Sequence, residues 1–255
     1  MNILITSGGT TEQIDSVRSI TNTSTGMLGS LIANAFDKIP DTKKIYYVCG
    51  KNAVVPQSAN TEILRVDTVA SLEAAVRKVT REVSIDIIVH SMAVSDYRVK
   101  SVTSAKLLAD SVKSKLESQK KNKPISDTFI ESLLESPPAI LNADGKISSN
   151  VDDLILCMEK TPKIISLFQS IAPDALLVGF KLLDHVPLDT LIDMAFHILQ
   201  ENKCSFVLAN DLRDITGKQH IGYLVDENKN YTRFTTKADI ASAIAAVTYE
   251  RRTAR

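Results

Sequence analysis

The chain has 255 residues, 44% hydrophobic and 24% charged, and its 30 basic and 30 acidic side chains cancel. That length accommodates one large α/β domain or two small ones, and a net charge of zero argues against the basic footprint of a nucleic-acid binder. Its apolar runs fall far short of the roughly 20 residues that span a bilayer, and Cys49, Cys157 and Cys204 are too widely spaced for a disulfide framework or a zinc motif.

Met1 leads directly into an apolar strand, so a cytoplasmic protein without a secretory leader, a membrane anchor or a nucleic-acid partner is expected. His90, His185, His197 and His220 lack metal-ligand spacing.

The first predicted strand is Asn2–Thr6. The segment GGTTEQIDSVRSITNTSTG follows at residues 8–26. It is polar, hydroxyl-rich and aperiodic, and far longer than the roughly two to six residues of an ordinary strand–helix connection, so a binding loop is expected. A helix over Gly26–Phe36 comes next, with Leu28, Leu31, Ile32 and Ala35 on one face. Strands follow at Lys44–Cys49, Glu62–Val66 and Ile85–Ser91, the last two separated by an amphipathic helix at Thr68–Val83. Residues 99–144 break the alternation. They read as an inserted flap or dimerisation arm within a single α/β domain covering residues 1–255. One amphipathic patch stands out there, Thr128–Leu134, with capping-box spacing from Thr128 to Glu131. The basic cluster Lys113–Lys123 reads as a solvated face, with phosphate contact as the alternative.

A helix at Thr161–Ile171 is expected to take Thr161 as its N-cap and Pro162 as its first residue. Strands at Ala175–Phe180 and Ser205–Ala209 flank a helix at Leu188–Gln200. His220–Val225 and Tyr231–Phe234 read as a β-hairpin before a final helix from Lys237 to about Val247. The arginine-rich tail beyond it is expected to be solvated. Short β-branched strands alternating with helices predict an α/β fold with a doubly wound, mostly parallel, Rossmann-like sheet. Ligands of such sheets bind beyond the carboxyl ends of the strands.

Several chemistries can be set aside. Gly8-Gly9 runs into threonines and lacks the third glycine of a dinucleotide fingerprint, and neither a P-loop nor a G-x-S-x-G elbow is present. Asn22-Thr-Ser-Thr-Gly26 admits two readings. Gly26 and Gly29 at a helix start, beside the neutral donors Asn22, Thr23, Ser24 and Thr25, could hold an anion or stabilise charge developing on an acyl or phosphoryl oxygen. Equally, the segment could be an ordinary helix start capped by Ser24 or Thr25. Asp96, just past a strand, could orient a base, a ribose or a metal, or simply pair with Arg98. Lys146, Lys160, Lys163 and Lys181 sit at loops or strand ends, where convergence on one rim would suit a triphosphate.

Taken together, these stretches are familiar. The motifs G-G-T-x-E-x-x-D-x-V-R-x-I-x-N-x-S-x-G-x-x-G, A-V-x-D-Y-R, K-I-S-S, K-T-P-K-I, V-G-F-K-L and A-N-D run in order through nearly the whole chain. As a set they resemble phosphopantothenoylcysteine synthetase, the phosphopantothenate–cysteine ligase family of coenzyme A biosynthesis, in its stand-alone bacterial form. The resemblance implies CTP-dependent activation of 4′-phosphopantothenate to an acyl-cytidylate, then amide formation with cysteine. It implies Mg²⁺ as cofactor, CTP as co-substrate and a homodimer. ATP in place of CTP is the alternative. Outside that class stand a nicotinamide-nucleotide reductase and a non-catalytic regulatory homologue.

Carried over by position, the resemblance makes Asn22 and Lys146 catalytic. It gives the nucleotide Gly8, Gly9, Thr10, Ala93, Asp96 and Lys146, followed by Thr161, Pro162, Lys163, Ile164, Phe180 and Lys181. It gives the substrate Asn22, Ser24, Thr25 and Gly26, and it assigns no metal ligands. The chain departs from the family pattern in three places. His197 and Glu201 stand where basic residues are frequent, Lys163 replaces an aspartate, and the longer 99–144 segment makes Lys106 a rival to Lys146.

Overall fold

The computed structural model describes residues 1–118, 126–135, 137, 140–141, 144–217 and 219–254. In chain order its elements begin β1 (Asn2–Ser7), β2 (Thr11–Gln13), β3 (Ser19–Thr21), α1 (Met27–Asp37), β4 (Lys44–Gly50), β5 (Thr61–Val66), α2 (Val69–Glu82) and β6 (Ile87–His90). Then come β7 (Tyr97–Ser104), α3 (Ala105–Ser118), α4 (Asp127–Glu135), β8 (Leu154–Lys160), α5 (Ile164–Ile171) and β9 (Leu176–Leu183). The chain closes with α6 (Leu188–Glu201), β10 (Phe206–Asp211), β11 (Gly222–Val225), β12 (Tyr231–Phe234) and α7 (Lys237–Thr253). These elements form two compact units. Met1–Thr10, Asn22–Val94 and Lys163–Arg255 make the first, and Thr11–Thr21 with Ser95–Pro162 the second.

The first unit is the doubly wound sheet, in the order β12-β11-β10-β9-β6-β1-β4-β5. Pairing is parallel from β10 to β5, and the β11–β12 hairpin joins antiparallel at the other end. The chain winds from β1 out through β4 and β5, then returns to the other side of β1 as β6 and continues to β9 and β10. The reversal makes the gap between β1 and β6 the topological switch point.

The period-2 geometry of strands sorts side chains between two layers. Ile3 and Ile5 of β1, Ile45 and Tyr47 of β4 and Ile87 of β6 pack with Ile32 and Phe36 of α1 and Ile240 and Ile244 of α7. Leu4, Val48 and Ile88 face the other way, onto Leu72 and Val76 of α2, Phe168 of α5 and Leu191 of α6. Thr68 starts α2 with a reciprocal capping box to Ser71.

Asp211, at the end of β10, is buried and takes N–H bonds from His185 at 3.1 Å, Val186 at 2.9 Å and Arg213 at 3.0 Å. Arg213 Nη2 in turn donates to the Val186 carbonyl at 2.7 Å. One residue of the β9–α6 connection is thus held by both of its backbone groups.

In the second unit, β7 pairs antiparallel with β8 from Tyr97 opposite Lys160 to Ser104 opposite Leu154. The short hairpin of β2 and β3, with α3 and α4, completes it.

Several local expectations are corrected. Residues 8–26 are not an aperiodic loop, because the β2–β3 hairpin occupies their middle. The α5 helix begins at Ile164 after Lys163, not at a Thr161 cap, since Thr161 gives its N–H to Asp96 O and its hydroxyl to Ser95 O. The α4 helix starts at Asp127, with the Ser126 hydroxyl accepting from Phe129 N–H, which puts Thr128 inside it. Strands β7 and β8 have no counterpart among the predicted elements. The final helix runs on to Thr253, and its arginines are engaged: Arg252 forks onto Asp86 at 2.7 and 3.1 Å, and Arg251 pairs with Glu227. Of the basic cluster, Lys113 and Lys115 lie on α3, while Lys120, Lys121 and Lys123 fall outside the described residues, as does Arg255.

Candidate functional site

At the switch point Thr6 of β1 lies opposite His90 of β6, and the pairing continues beyond both strands. Ala93 N–H donates to Gly8 O at 2.8 Å, Thr10 N–H to Ala93 O at 3.1 Å and Asn22 N–H to Thr10 O at 3.2 Å. The Asn22 side chain adds a bond from Nδ2 to Val94 O at 3.0 Å. Gly8, Thr10, Asn22 and Ala93 therefore form one hydrogen-bonded knot at the carboxyl end of the sheet, with Gly9 bridged opposite Ala93 inside it. Gly9 is fixed by space, because a Cβ there would collide with the Asn22 carbonyl oxygen.

Gly26 begins α1 in the left-handed region, at φ 72°, a conformation that favours glycine. Its carbonyl receives the Ser7 hydroxyl at 3.1 Å. Tyr47 OH reaches the same oxygen at 3.3 Å and Val54 O at 2.9 Å. No side chain caps the helix, and the Thr25 hydroxyl stands 3.4 Å from Met27 N–H. The expectation of a Ser24 or Thr25 cap is therefore corrected: the αL glycine sets the entry angle. Ser24 and Thr25 are exposed, beside the positive end of the helix dipole.

Beneath the knot, His90 is buried, its Nδ1 2.7 Å from Thr6 Oγ1 and its ring edge-on to Phe168 with 5.4 Å between centroids. Burial pushes its pKa down to about 4, so the imidazole is neutral near pH 7. Elsewhere in the first unit, Phe180 on β9 packs against the α1–α7 layer and Lys181 is half-buried. Lys163 precedes α5 as an exposed N-cap, and Ile164 is buried in the opposite layer.

The second unit brings Asp96 and Thr161 together through the Thr161 N–H bond to Asp96 O at 3.0 Å. Pro162 follows, exposed. Arg98 pairs with Glu159 across β7 and β8 at 2.7 Å, so Arg98 is taken by that strand partner. Lys146 is exposed, and its neighbour Ile147 is buried. Ile147 N–H donates to Asp15 Oδ2, and Arg18 Nη2 donates to Ile147 O, both at 3.1 Å. The Arg18 guanidinium holds the Asp15 carboxyl well below the usual carboxylate range, against a burial that pushes the other way. Lys106 sits in the first turn of α3, exposed.

Sequence reasoning offers Asn22, Gly8, Gly9 and Ala93 as candidates, and these lie together in the structure. It missed the bonds made by Asp15 and Arg18, although both stand in the motif D-x-V-R, because their partner lies 132 and 129 residues away. Among the described residues no group of three His, Cys, Asp or Glu could hold a metal ion. None of their helices is long and apolar enough to cross a membrane. The chemistry on offer at the switch point is that of neutral donors and open backbone.

Residues 1–131 match the family described as DNA/pantothenate metabolism flavoprotein C-terminal domain. The chain is 27% identical over 237 residues, 92% of its own length, to the coenzyme A biosynthesis bifunctional protein CoaBC of Thermococcus kodakarensis. It spans about half the length of that relative, 48%. Among solved structures it resembles a DNA/pantothenate metabolism flavoprotein from Streptococcus pneumoniae, at 32% identity and a TM-score of 0.77, over 98% of this chain and 99% of that one. A Cab2 variant in complex with phosphopantothenate-cysteine shares the fold, at 17% identity and a TM-score of 0.67 over 99% and 86% of the two chains. The chain belongs to the DNA/pantothenate metabolism flavoprotein C-terminal domain family, in keeping with the resemblance of its motifs to phosphopantothenoylcysteine synthetases.

Proposed function

We propose that the chain is a phosphopantothenate–cysteine ligase of coenzyme A biosynthesis. The carboxylate of 4′-phosphopantothenate attacks the α-phosphorus of CTP and pyrophosphate leaves, giving an acyl-cytidylate. The amine of cysteine then attacks the acyl carbon, CMP leaves, and the amine proton passes to water as the amide forms.

The observation that carries this reading is the setting of Asn22. A carboxamide has two N–H donors, and the Val94 carbonyl takes one of them. The bond fixes the plane of the group, so the second N–H is a preorganised neutral donor for an acyl-phosphate oxygen. Neutrality suits a mixed anhydride, which a nucleophilic side chain would consume. Ser24, Thr25 and the N–H groups opening at Gly26 would take the phosphopantothenate.

By the resemblance, the proposed nucleotide-binding positions are Gly8, Gly9, Thr10, Ala93, Asp96, Lys146, Thr161, Pro162, Lys163, Ile164, Phe180 and Lys181. With its side chain packed in the core, Ile164 would contribute backbone. Mg²⁺ would come with the triphosphate, since it favours substrate phosphates and only one or two carboxylates, and it would offset phosphate charge. CTP as the nucleotide, a homodimeric state and a cytoplasmic setting belong to the same reading. Membership of the family and the coenzyme A biosynthesis relative support it.

The test is a product assay with 4′-phosphopantothenate, cysteine, Mg²⁺ and either CTP or ATP. CMP release, and pyrophosphate beyond a single turnover, should require every component, with CTP as donor. AMP production with equal efficiency would reassign the nucleotide, and no turnover with either triphosphate would overturn the ligase reading.

A further inference from the structure

We propose that Asp15 and Arg18 are positioning residues for Lys146: together they grip both backbone polar groups of Ile147 and so fix where the preceding lysine presents its ammonium. This rests on the reading that Lys146 meets the triphosphate.

The grip is built in two steps. First, Asp15 Oδ1 accepts from the N–H groups of Val17 at 2.9 Å and Arg18 at 2.8 Å, closing a tight turn on its own chain. Second, Oδ2 accepts from Arg18 Nε at 2.9 Å and Nη2 at 2.5 Å, two charge-assisted bonds that hold the guanidinium on that oxygen. The pair then presents an acceptor and a donor side by side, and Ile147 satisfies both, its N–H at 3.1 Å and its carbonyl at 3.1 Å. A neighbouring strand would offer the same pattern. Residues 145–148 belong to no strand or helix, so these backbone groups have no ladder to join and would otherwise need water.

The side chains agree with the backbone. Asp15 is wholly buried while Arg18 keeps 40% of its side chain exposed. Ile147 is 4% exposed and serves as the anchor, whereas Lys146 is exposed. Lysine is a point charge on a flexible stem, so its usefulness to a phosphate depends on where its backbone is held. Asp211 and Arg213 hold Val186 in the same manner in the first unit, so the device recurs among the described residues.

Two readouts separate the grip from the ligase reading. Hydrogen exchange on peptides covering Gly145–Asn150 needs no substrate. Asp15→Asn and Arg18→Lys should each speed exchange at Ile147 by about tenfold or more, and unchanged exchange overturns the proposal. Kinetics supply the second. Asp15→Asn should raise KM for CTP about tenfold, leave KM for cysteine within about twofold, and add nothing to CTP KM in a Lys146→Met background. An equal rise in both backgrounds would make Asp15 merely structural and overturn the proposal. Arg18→Lys keeps the positive charge and the Asp15 turn, and it carries the same cycle if Asp15→Asn does not fold. If Lys146→Met alone leaves CTP KM unchanged, the nucleotide role of Lys146 is lost and the proposal falls with it, while the exchange result still reports on the grip.

Discussion

Asn22 and Gly9 meet at one point, the Asn22 carbonyl, and they make different predictions. Asn22→Asp replaces a donor by an acceptor and, on the proposed function, sets a negative charge beside the acyl phosphate. The rate of ligation should fall by about 3 kcal/mol, roughly a hundredfold, as when a preorganised donor is lost. Stability should change by no more than about 1 kcal/mol, the scale of one hydrogen bond. Steady-state kinetics with a thermal melt check both, and wild-type turnover would remove Asn22 from its role. Gly9→Ala should damage both quantities, because its Cβ must push the Asn22 carbonyl aside. Gly145→Ala, with nothing among the described residues within 4 Å of its Cβ, is the matched control and should melt like wild type.

Elements buried on both faces were legible in the sequence. The Ile87–His90 stretch and the Leu176–Leu183 strand read as strands because nearly every residue in their cores is apolar. Strands β7 and β8 were not legible. Their residues are mostly exposed or half-buried, and what makes them strands is the pairing of Tyr97–Ser104 with Leu154–Lys160 across the intervening helices. The α5 boundary failed for a related reason. A threonine before a proline looks like a cap until a distant carbonyl, here Ser95 O, claims its hydroxyl. At the start of α1 the cap is absent and the support comes from β4 instead. Tyr47→Phe deletes the buried hydroxyl that serves Val54 O and Gly26 O, and should cost about 1–2 kcal/mol in denaturant unfolding. A loss below about 0.3 kcal/mol would mean that Tyr47 does not brace the entry to α1.

Across the whole molecule, pH acts through groups buried in their neutral form. An unfolded histidine binds its proton near pH 6.5, and folded His90 near 4. Between those values the unfolded chain holds the extra proton, so stability is complete above pH 6.5 and falls as pH drops toward 4. His90 accounts for roughly 3 kcal/mol of that fall. His220, lowered to about 4 by burial and by Lys237, adds to it in the same window. Asp15 and Asp211, both held below the ordinary carboxylate value of 3.8, surrender their contributions only at lower pH. Urea unfolding at a series of pH values should therefore show a slope between pH 4 and 6.5 that His90→Asn reduces by about half, leaving the share of His220. An unchanged slope would place the proton elsewhere.

The same scale sets what the sequence could say about the site. Its motifs offer candidate residues, but only the fold shows that Gly8, Thr10, Asn22 and Ala93 are joined by hydrogen bonds, and that Ile147, next to Lys146, is held by a turn more than a hundred residues earlier. Contacts of that span leave no trace in periodicity. The central claim is that the chain forms an acyl-cytidylate before cysteine takes part. Isotope exchange between pyrophosphate and CTP, run without cysteine, tests it most directly. Exchange that requires 4′-phosphopantothenate and collapses in Asn22→Asp is the predicted result. Exchange without 4′-phosphopantothenate, or none in its presence, would contradict the account.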